Sequence, residues 1–512
     1  MRQDRDLQIP AVWVERAPMA TDFDMVVIGG GAAGLTAAGI SASLGAKTAL
    51  VEARKLGGDC TWTGCVPSKA LLKAAGIAHS IRTADRYGLD ATEPQINFPR
   101  IMGRVREIQT AIYEEADAPP VYEKLGIEVV DGKAQFIDRE RVEIVTSDGS
   151  KRRITSRFFV IATGGRPAVP PIEGLADAPY LTSETIFSLS NLPAKMMVIG
   201  AGPIGIEMAQ AFRRLGSEIA VLDTEKHILR RDDAELSELL QQHLSVEGVR
   251  FLLECAVRKI ERHGATIRVT LQANSSSTEE TVEGDTLLLA AGRRPNIEGL
   301  NLEAAGVKAS HAGITVDLHC RTSTKNIFAC GDVTGLYQFT HMSEHMAKVA
   351  VTTALLRFPM SIDRNNVPWC TYTDPELAHV GASESELKSR GQRYEVYRFP
   401  FTKIDRALTD RETTGLIKVW ARKFDGRIYG ASILGAHAGE MIGEFALAMR
   451  NKVTLRNMAD TIHPYPTYGL GNRRAADQWY VRKQSRTFVR LLQMIFGYRG
   501  QLPDTSDPNR IV

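Results

Sequence analysis

Cysteine is scarce in this chain. Six occur in 512 residues, and only Cys60 and Cys65 lie close together. A secreted domain stapled by disulfides needs far denser cysteine, so that class is excluded. Cys255, Cys320, Cys330 and Cys370 stand alone and are expected to be buried small apolar residues. No apolar run reaches the roughly 18 residues that a membrane span requires. The N-terminal stretch lacks the apolar core of a signal peptide, so the cytoplasm is the expected location, and Met19 is a candidate alternative start. Net charge is nearly absent too: 63 basic against 60 acidic residues leave +3, too balanced to suggest nucleic-acid binding. No resident metal site is expected. The length exceeds what one hydrophobic core supports and implies several domains.

Glycine, by contrast, is plentiful, with 43 copies. Two clusters fall in the same pattern. Asp24 to Ile28 is an apolar run, and Gly29, Gly31 and Gly34 form a GxGxxG turn. A helical run and a second strand then end at Glu52. Met196 to Ile199, then Gly200, Gly202 and Gly205, a helix and a strand ending at Asp223 repeat that order. Each acid lies 18 residues after the last glycine of its motif. Such glycines let the backbone approach a pyrophosphate at a helix N-terminus, and the acid meets ribose hydroxyls. One copy is weak evidence; two copies with matched acids imply two dinucleotide sites on one chain.

Between the two copies lies Gly57-Gly58-Asp59-Cys60-Thr61-Trp62-Thr63-Gly64-Cys65-Val66-Pro67-Ser68-Lys69. Two thiols five residues apart can form a disulfide. At the start of a helical run the partial positive charge favours a thiolate, so the pair can also act as a nucleophile. The plainer alternatives are two structural thiols or a static disulfide.

Taken together, these motifs resemble the flavoprotein disulfide reductases with a C-x4-C pair, a family containing dihydrolipoamide dehydrogenase, glutathione reductase and mercuric reductase. The resemblance covers about residues 22–480. It implies an α/β fold with two Rossmann-like dinucleotide-binding domains and a C-terminal α+β dimerisation domain. The expected divisions are an N-terminal extension (1–21), an FAD-binding domain (22–165 and 296–365), an NAD(P)-binding domain (166–295), a dimerisation domain (366–484) that makes a homodimer, and a tail helix (485–512). By the resemblance, FAD is held by the first glycine unit, Glu52, Gly58, Thr163, Gly164, Gly331 and Asp332, with Asp332 on the ribityl chain. The nicotinamide cofactor is held by the second unit, Asp223 and Gly292. Cys60 resembles the thiol that meets substrate, Cys65 the thiol facing the flavin, and Lys69 the lysine beside flavin N5, paired with Glu207.

The chain departs from the family's pattern near residue 465. Members acting on organic disulfides carry a His there and a Glu five residues later; this chain has Tyr465 and Leu470. A phenol with a pKa near 10 is a poor proton shuttle at neutral pH. Tyr465 and the segment Asp405-Arg406-Ala407 are similar to the mercuric-reductase branch. A soft metal held by thiolates needs no proton for a leaving thiol. That branch ends in a vicinal cysteine pair and carries an N-terminal metal-binding domain, and neither pattern occurs here. The expected activity is therefore transfer of electrons from NAD(P)H through FAD and the Cys60–Cys65 disulfide to a metal ion or small acceptor. The alternatives are a dihydrolipoamide or organic-disulfide oxidoreductase with another base, and a non-catalytic redox-sensing flavoprotein. His463 is either that substitute base or a cap or interface residue. Asp223 and Thr224 lean toward NADH, whereas Lys226, Arg230 and Arg231 lean toward NADPH. In the tail, Phe488, Leu491, Leu492 and Ile495 share a helical face near Arg482, Lys483, Arg486 and Arg490. Docking on the protein body is the expectation, with membrane-surface contact as the alternative.

Overall fold

The computed structural model describes residues 21–275 and 278–502. All of the expected N-terminal extension except Thr21 lies outside them, as do Met19 and tail residues 503–512. The chain has a mixed α/β structure that divides into two compact units.

One unit comprises Met1–Gly58, Tyr113–Gly165 and Arg294–Ile362. Strand Phe23–Ile28 runs through its middle, with nearly every residue buried. Thr48–Glu52 pairs with it in parallel on one side and the second half of Lys151–Ile161 on the other. Glu128–Phe136 and Ile327–Ala329 extend the sheet outward. Continuous apolar runs such as Met25-Val26-Val27-Ile28 suit strands covered on both faces. Beyond Asp131, strand Glu128–Phe136 leaves the parallel sheet and pairs antiparallel with Arg141–Thr146. There its residues alternate between buried and exposed, as in a sheet with one wet face. Helix Ala32–Ser43 joins the first two strands and packs against helix Thr340–Leu355. Apart from Leu35, its buried residues are Ala33, Gly34, Ala37, Ala38 and Ser41, small side chains that allow close approach.

The other unit comprises Asp59–Ile112, Arg166–Arg293 and Asp363–Val512. A parallel sheet in the order Thr286–Leu289, Lys195–Ile199, Glu218–Leu222, Val249–Leu252 forms one part, with an antiparallel sheet of Cys255–His263, Thr266–Ala273 and Glu279–Gly284. A five-stranded antiparallel sheet forms the second, in the order Pro368–Thr371, Glu376–Gly381, Ile428–Gly435, Leu416–Ala421, Glu395–Pro400. Helix Cys65–Arg82 packs against helices Phe98–Ile112 and Pro203–Leu215. It buries Leu71, Ala75 and Ala78, one face at helical spacing, in the cluster holding Phe98, Met102 and Phe212. Truncating the fully buried Phe212 to Ala costs about 3–5 kcal/mol. This packing sets the position of Lys69 against Glu207.

The tail departs from expectation. Helix Arg486–Phe496 forms, but among the described residues none of it is fully buried: Val489 and Leu492 are half-buried, and Phe488, Leu491 and Ile495 are exposed. No helix among the described residues is long and apolar enough to cross a membrane.

Candidate active site

Cys60 lies half-buried on the short helix Gly58–Trp62, and Cys65 is exposed as the first residue of helix Cys65–Arg82. Gly64 joins the two helices. A Cβ there would sit 2.9 Å from the Asp59 carbonyl oxygen, so only glycine permits this tight junction between the cysteines. Two residues that the sequence did not reveal brace it. Buried Gln109 donates to the Thr61 and Trp62 carbonyls at 3.1 and 2.8 Å, satisfying the end of the short helix. Arg293 forms an ion pair with Asp59. Their partners lie 48 and 234 residues away, beyond any local pattern.

Lys69 follows Cys65 by four residues, one helical turn along the same face. Its Nζ donates to both oxygens of Glu207, at 2.9 and 3.2 Å. Glu207 is buried on helix Pro203–Leu215 and also accepts the Tyr372 N–H at 2.9 Å. A buried carboxylate is tolerable because both a cation and a backbone donor meet it. The Tyr372 ring lies under the ammonium, 4.3 Å from Nζ to the centroid. Burial pushes the Tyr372 phenol up to about 12, with the charges of Cys370, Glu376, Glu207 and Cys65 adding to the effect. It stays protonated at neutral pH. Tyr372 also escaped the sequence reading, since nothing in its own segment points to the cysteine helix.

The two glycine units repeat each other closely. A Cβ on Gly29 would meet the Ala162 carbonyl oxygen at 2.3 Å, and one on Gly34 the Gly29 oxygen at 1.7 Å. In the second unit the same contacts are Gly200 to Ala290 O at 2.4 Å and Gly205 to Gly200 O at 2.0 Å. Glu52 accepts the Gly30 and Arg54 N–H groups at 2.5 and 2.8 Å; Asp223 accepts those of Ala201 and Glu225 at 2.5 and 2.9 Å. The middle glycines differ. A Cβ on Gly202 would meet no protein atom within 4 Å, and one on Gly31 only Gly58 Cα at 3.7 Å. Packing therefore does not require glycine there, and the backbone at both positions is open to close approach. In the first unit, Thr163 and Gly164 are joined to Asn296, which donates to the Thr163 carbonyl at 3.0 Å and to the Gly164 carbonyl at 3.0 Å. Gly331, at positive φ, opens a turn packed on Ala33 and Ser343, and Asp332 follows it. In the second unit, Gly292 also has positive φ and its carbonyl accepts the Ala168 N–H at 2.9 Å.

This arrangement matches a known family. Residues 23–351 fit the model of the pyridine nucleotide-disulphide oxidoreductases, and residues 367–474 fit that family's dimerisation domain. The chain belongs to the pyridine nucleotide-disulphide oxidoreductases. A mercuric reductase from Lysinibacillus sphaericus is 32% identical over 460 residues, covering 89% of this chain and 82% of that protein. A dihydrolipoyl dehydrogenase from Chlamydia trachomatis is 35% identical over 448 residues, covering 87% and 94%. Among solved structures, the Cu(II) complex of the HOCl-induced flavoprotein disulfide reductase RclA from Escherichia coli superposes with a TM-score of 0.79. It has 28% identity, over 90% of this chain and 99% of that one. LpdA from Mycobacterium tuberculosis gives 0.82 at 27% identity, over 89% and 99%. The chain is a flavoprotein disulfide oxidoreductase, and its family binds FAD and NAD(P)H. The open backbone at Gly31 and Gly202 leaves room for such a ligand at each glycine turn.

Within this oxidoreductase the remaining expected residues divide. Tyr465 is 70% exposed, and its hydrogen bond to Asp405 raises the phenol's pKa further. Leu470 is buried. His463 is engaged at both ring nitrogens, Nε2 with Glu444 at 2.8 Å and Nδ1 with the Thr461 carbonyl at 3.0 Å. Cys255, Cys320 and Cys330 are buried as expected, and burial holds the Cys330 thiol up at about 12. Cys370 is a correction. It is only half-buried, beside Glu376, and burial together with the carboxylates of Glu376 and Glu207 pushes its thiol far up.

Proposed function

We propose that this oxidoreductase takes reducing equivalents from NADH and uses the Cys60–Cys65 disulfide to reduce a soft metal ion or small acceptor. Residues 22–165 with 296–365 would hold FAD, 166–295 the nicotinamide cofactor, and 366–484 would pair two protomers. The observation that carries this reading is Lys69, fixed by buried Glu207 one helical turn after Cys65.

FAD, when bound, supplies the two-electron relay between nicotinamide and the cysteine pair. Lys69 places a cation where negative charge develops, and Glu207 and Tyr372 keep it there without reorganisation. The Cys60–Cys65 bond breaks as two electrons enter; one sulfur takes a proton and the other remains a thiolate. Cys65, at its helix N-terminus, is suited to the thiolate role. Cys60 then meets the acceptor, which takes the two electrons as the disulfide re-forms and the thiol's proton is released to solvent. An organic disulfide would need a proton donor for its leaving thiol. Tyr465, raised above the usual tyrosine range, is a poor one, whereas a thiolate-bound soft metal needs none. Asp223 favours ribose hydroxyls over a 2′-phosphate, and Glu225 pairs with Arg230 at 2.9 Å, diverting one cation that could recruit that phosphate.

The relatives named mercuric reductase support a metal acceptor; the relatives named dihydrolipoyl dehydrogenase support lipoamide. An anaerobic titration with NADH and NADPH separates the cofactors. Steady-state assays with lipoamide, glutathione disulfide, Hg(II), Cu(II) and quinones separate the acceptors. Turnover with a metal ion or quinone, lost in Cys60→Ser and Cys65→Ser, is the expected result. Lipoamide turnover dominating the panel would reverse the order of the readings, and no turnover with any acceptor would leave the sensor.

A further inference from the structure

Among the described residues, most of the tail's apolar face is left uncovered; only Val489 and Leu492 on it are half-buried. Ser485 caps helix Arg486–Phe496 by accepting the Phe488 N–H at 3.1 Å. Phe488, Leu491, Met494, Ile495 and Phe496 are 48, 45, 76, 60 and 61% exposed. At 100° per residue they lie around one side, and Arg486, Arg490 and Gln493 lie on the other. A second exposed aromatic adjoins the tail: Lys483 Nζ donates to the Phe424 carbonyl at 2.9 Å, and Phe424, in the turn before strand Ile428–Gly435, is 86% exposed. Between Asp477 and Asp504 there is no acidic residue, while Arg482, Lys483, Arg486, Arg490 and Arg499 are basic.

We propose that this helix and the Phe424 turn form a peripheral surface for anionic lipid bilayers. Exposed aromatic and aliphatic side chains beside a polar face whose charges are all basic are the composition of a helix lying in the headgroup plane. Its bases would meet acidic headgroups while Phe488, Ile495, Phe496 and Phe424 enter the acyl boundary. A second copy of the chain is a poor occupant of the same face, because it would bring the same five positive charges into apposition. The family's dimerisation segment also stops at residue 474, before this helix.

The test is co-sedimentation of the full-length holoenzyme with phosphatidylcholine vesicles, and with vesicles containing about 30 mol % phosphatidylglycerol, at about 50 and about 500 mM salt. The expected result is at least about tenfold more protein on the anionic vesicles at low salt and little at high salt. Arg486→Glu with Arg490→Glu should abolish the enrichment. Phe488→Ser with Ile495→Ser should reduce it, with NADH oxidation in solution and the dimer's mass unchanged. No anionic enrichment overturns the proposal, as does wild-type binding by the charge-reversed variant. Dissociation of either variant to monomers also overturns it, since the face would then belong to the other protomer.

Discussion

Tyr372 shows how a residue far along the chain shapes the chemistry near Cys65. Its ring lies 4.3 Å from the Lys69 ammonium and its backbone N–H holds Glu207, so it touches both members of the pair. A cation–π contact of this kind is worth about 0.5–2 kcal/mol. Tyr372→Leu should therefore slow reduction by NADH about three- to tenfold in stopped-flow absorbance, while Tyr372→Phe, which keeps the ring, stays near wild type. Equal losses in both variants would shift the role to the hydroxyl. Lys69→Met leaves buried Glu207 with only neutral donors. Because the Lys69 side chain is 36% exposed, the cost by urea unfolding should be modest, about 1–2 kcal/mol, with a much larger loss of rate. Lys69 and Glu207 were legible because each sits in a motif. Tyr372, Gln109 and Arg293 were not, because they reach the site through tertiary packing, which a single sequence does not display.

The strand–glycine–helix–strand elements were the most legible part of the chain, since their spacing is local and occurs twice. What the sequence could not separate was the reason for each glycine. Gly205 is required by the fold, for its Cβ would overlap the Gly200 carbonyl oxygen at 2.0 Å. Gly202 has φ −78° and ψ 179°, a conformation any residue adopts, and open space where a Cβ would go. Gly202→Ala should thus leave the unfolding midpoint within about 0.5 kcal/mol of wild type while raising the KM for NADH about tenfold or more. Gly205→Ala should instead lower stability by several kcal/mol, about the range of core overpacking or more. Normal NADH kinetics in Gly202→Ala would remove the nucleotide role assigned to that turn. The tail helix was legible as an element from its periodicity. Its docking was not, because an amphipathic pattern shows which face is apolar and not what covers it.

At the scale of the molecule, the chain leaves each compact unit and returns, so contacts between distant segments hold each unit together. Arg214 is one such junction. From helix Pro203–Leu215 it meets Glu247 at 2.6 Å and Asp374 at 2.8 Å, tying segments 160 residues apart. The Arg214 and Glu247 side chains are only 5 and 8% exposed. Burial alone would raise the Glu247 carboxyl, but hydrogen bonds from His243 and Arg214 reverse this and bring it down to about 2. A carboxyl depressed in the folded state contributes stability above its ordinary value near 4.5. That contribution is lost as pH falls from 4.5 toward 2. Arg214→Leu removes one of these two partners and leaves His243 as the other, so the carboxyl should rise from its depressed value. The variant should lose about 3–5 kcal/mol at pH 7.5, and the deficit should shrink at pH 5 as Glu247 takes up a proton. Urea unfolding of both proteins at the two pH values measures this. A deficit equal at both would mean that Arg214 acts through its packing and its bond to Asp374, with the charge of Glu247 compensated from elsewhere.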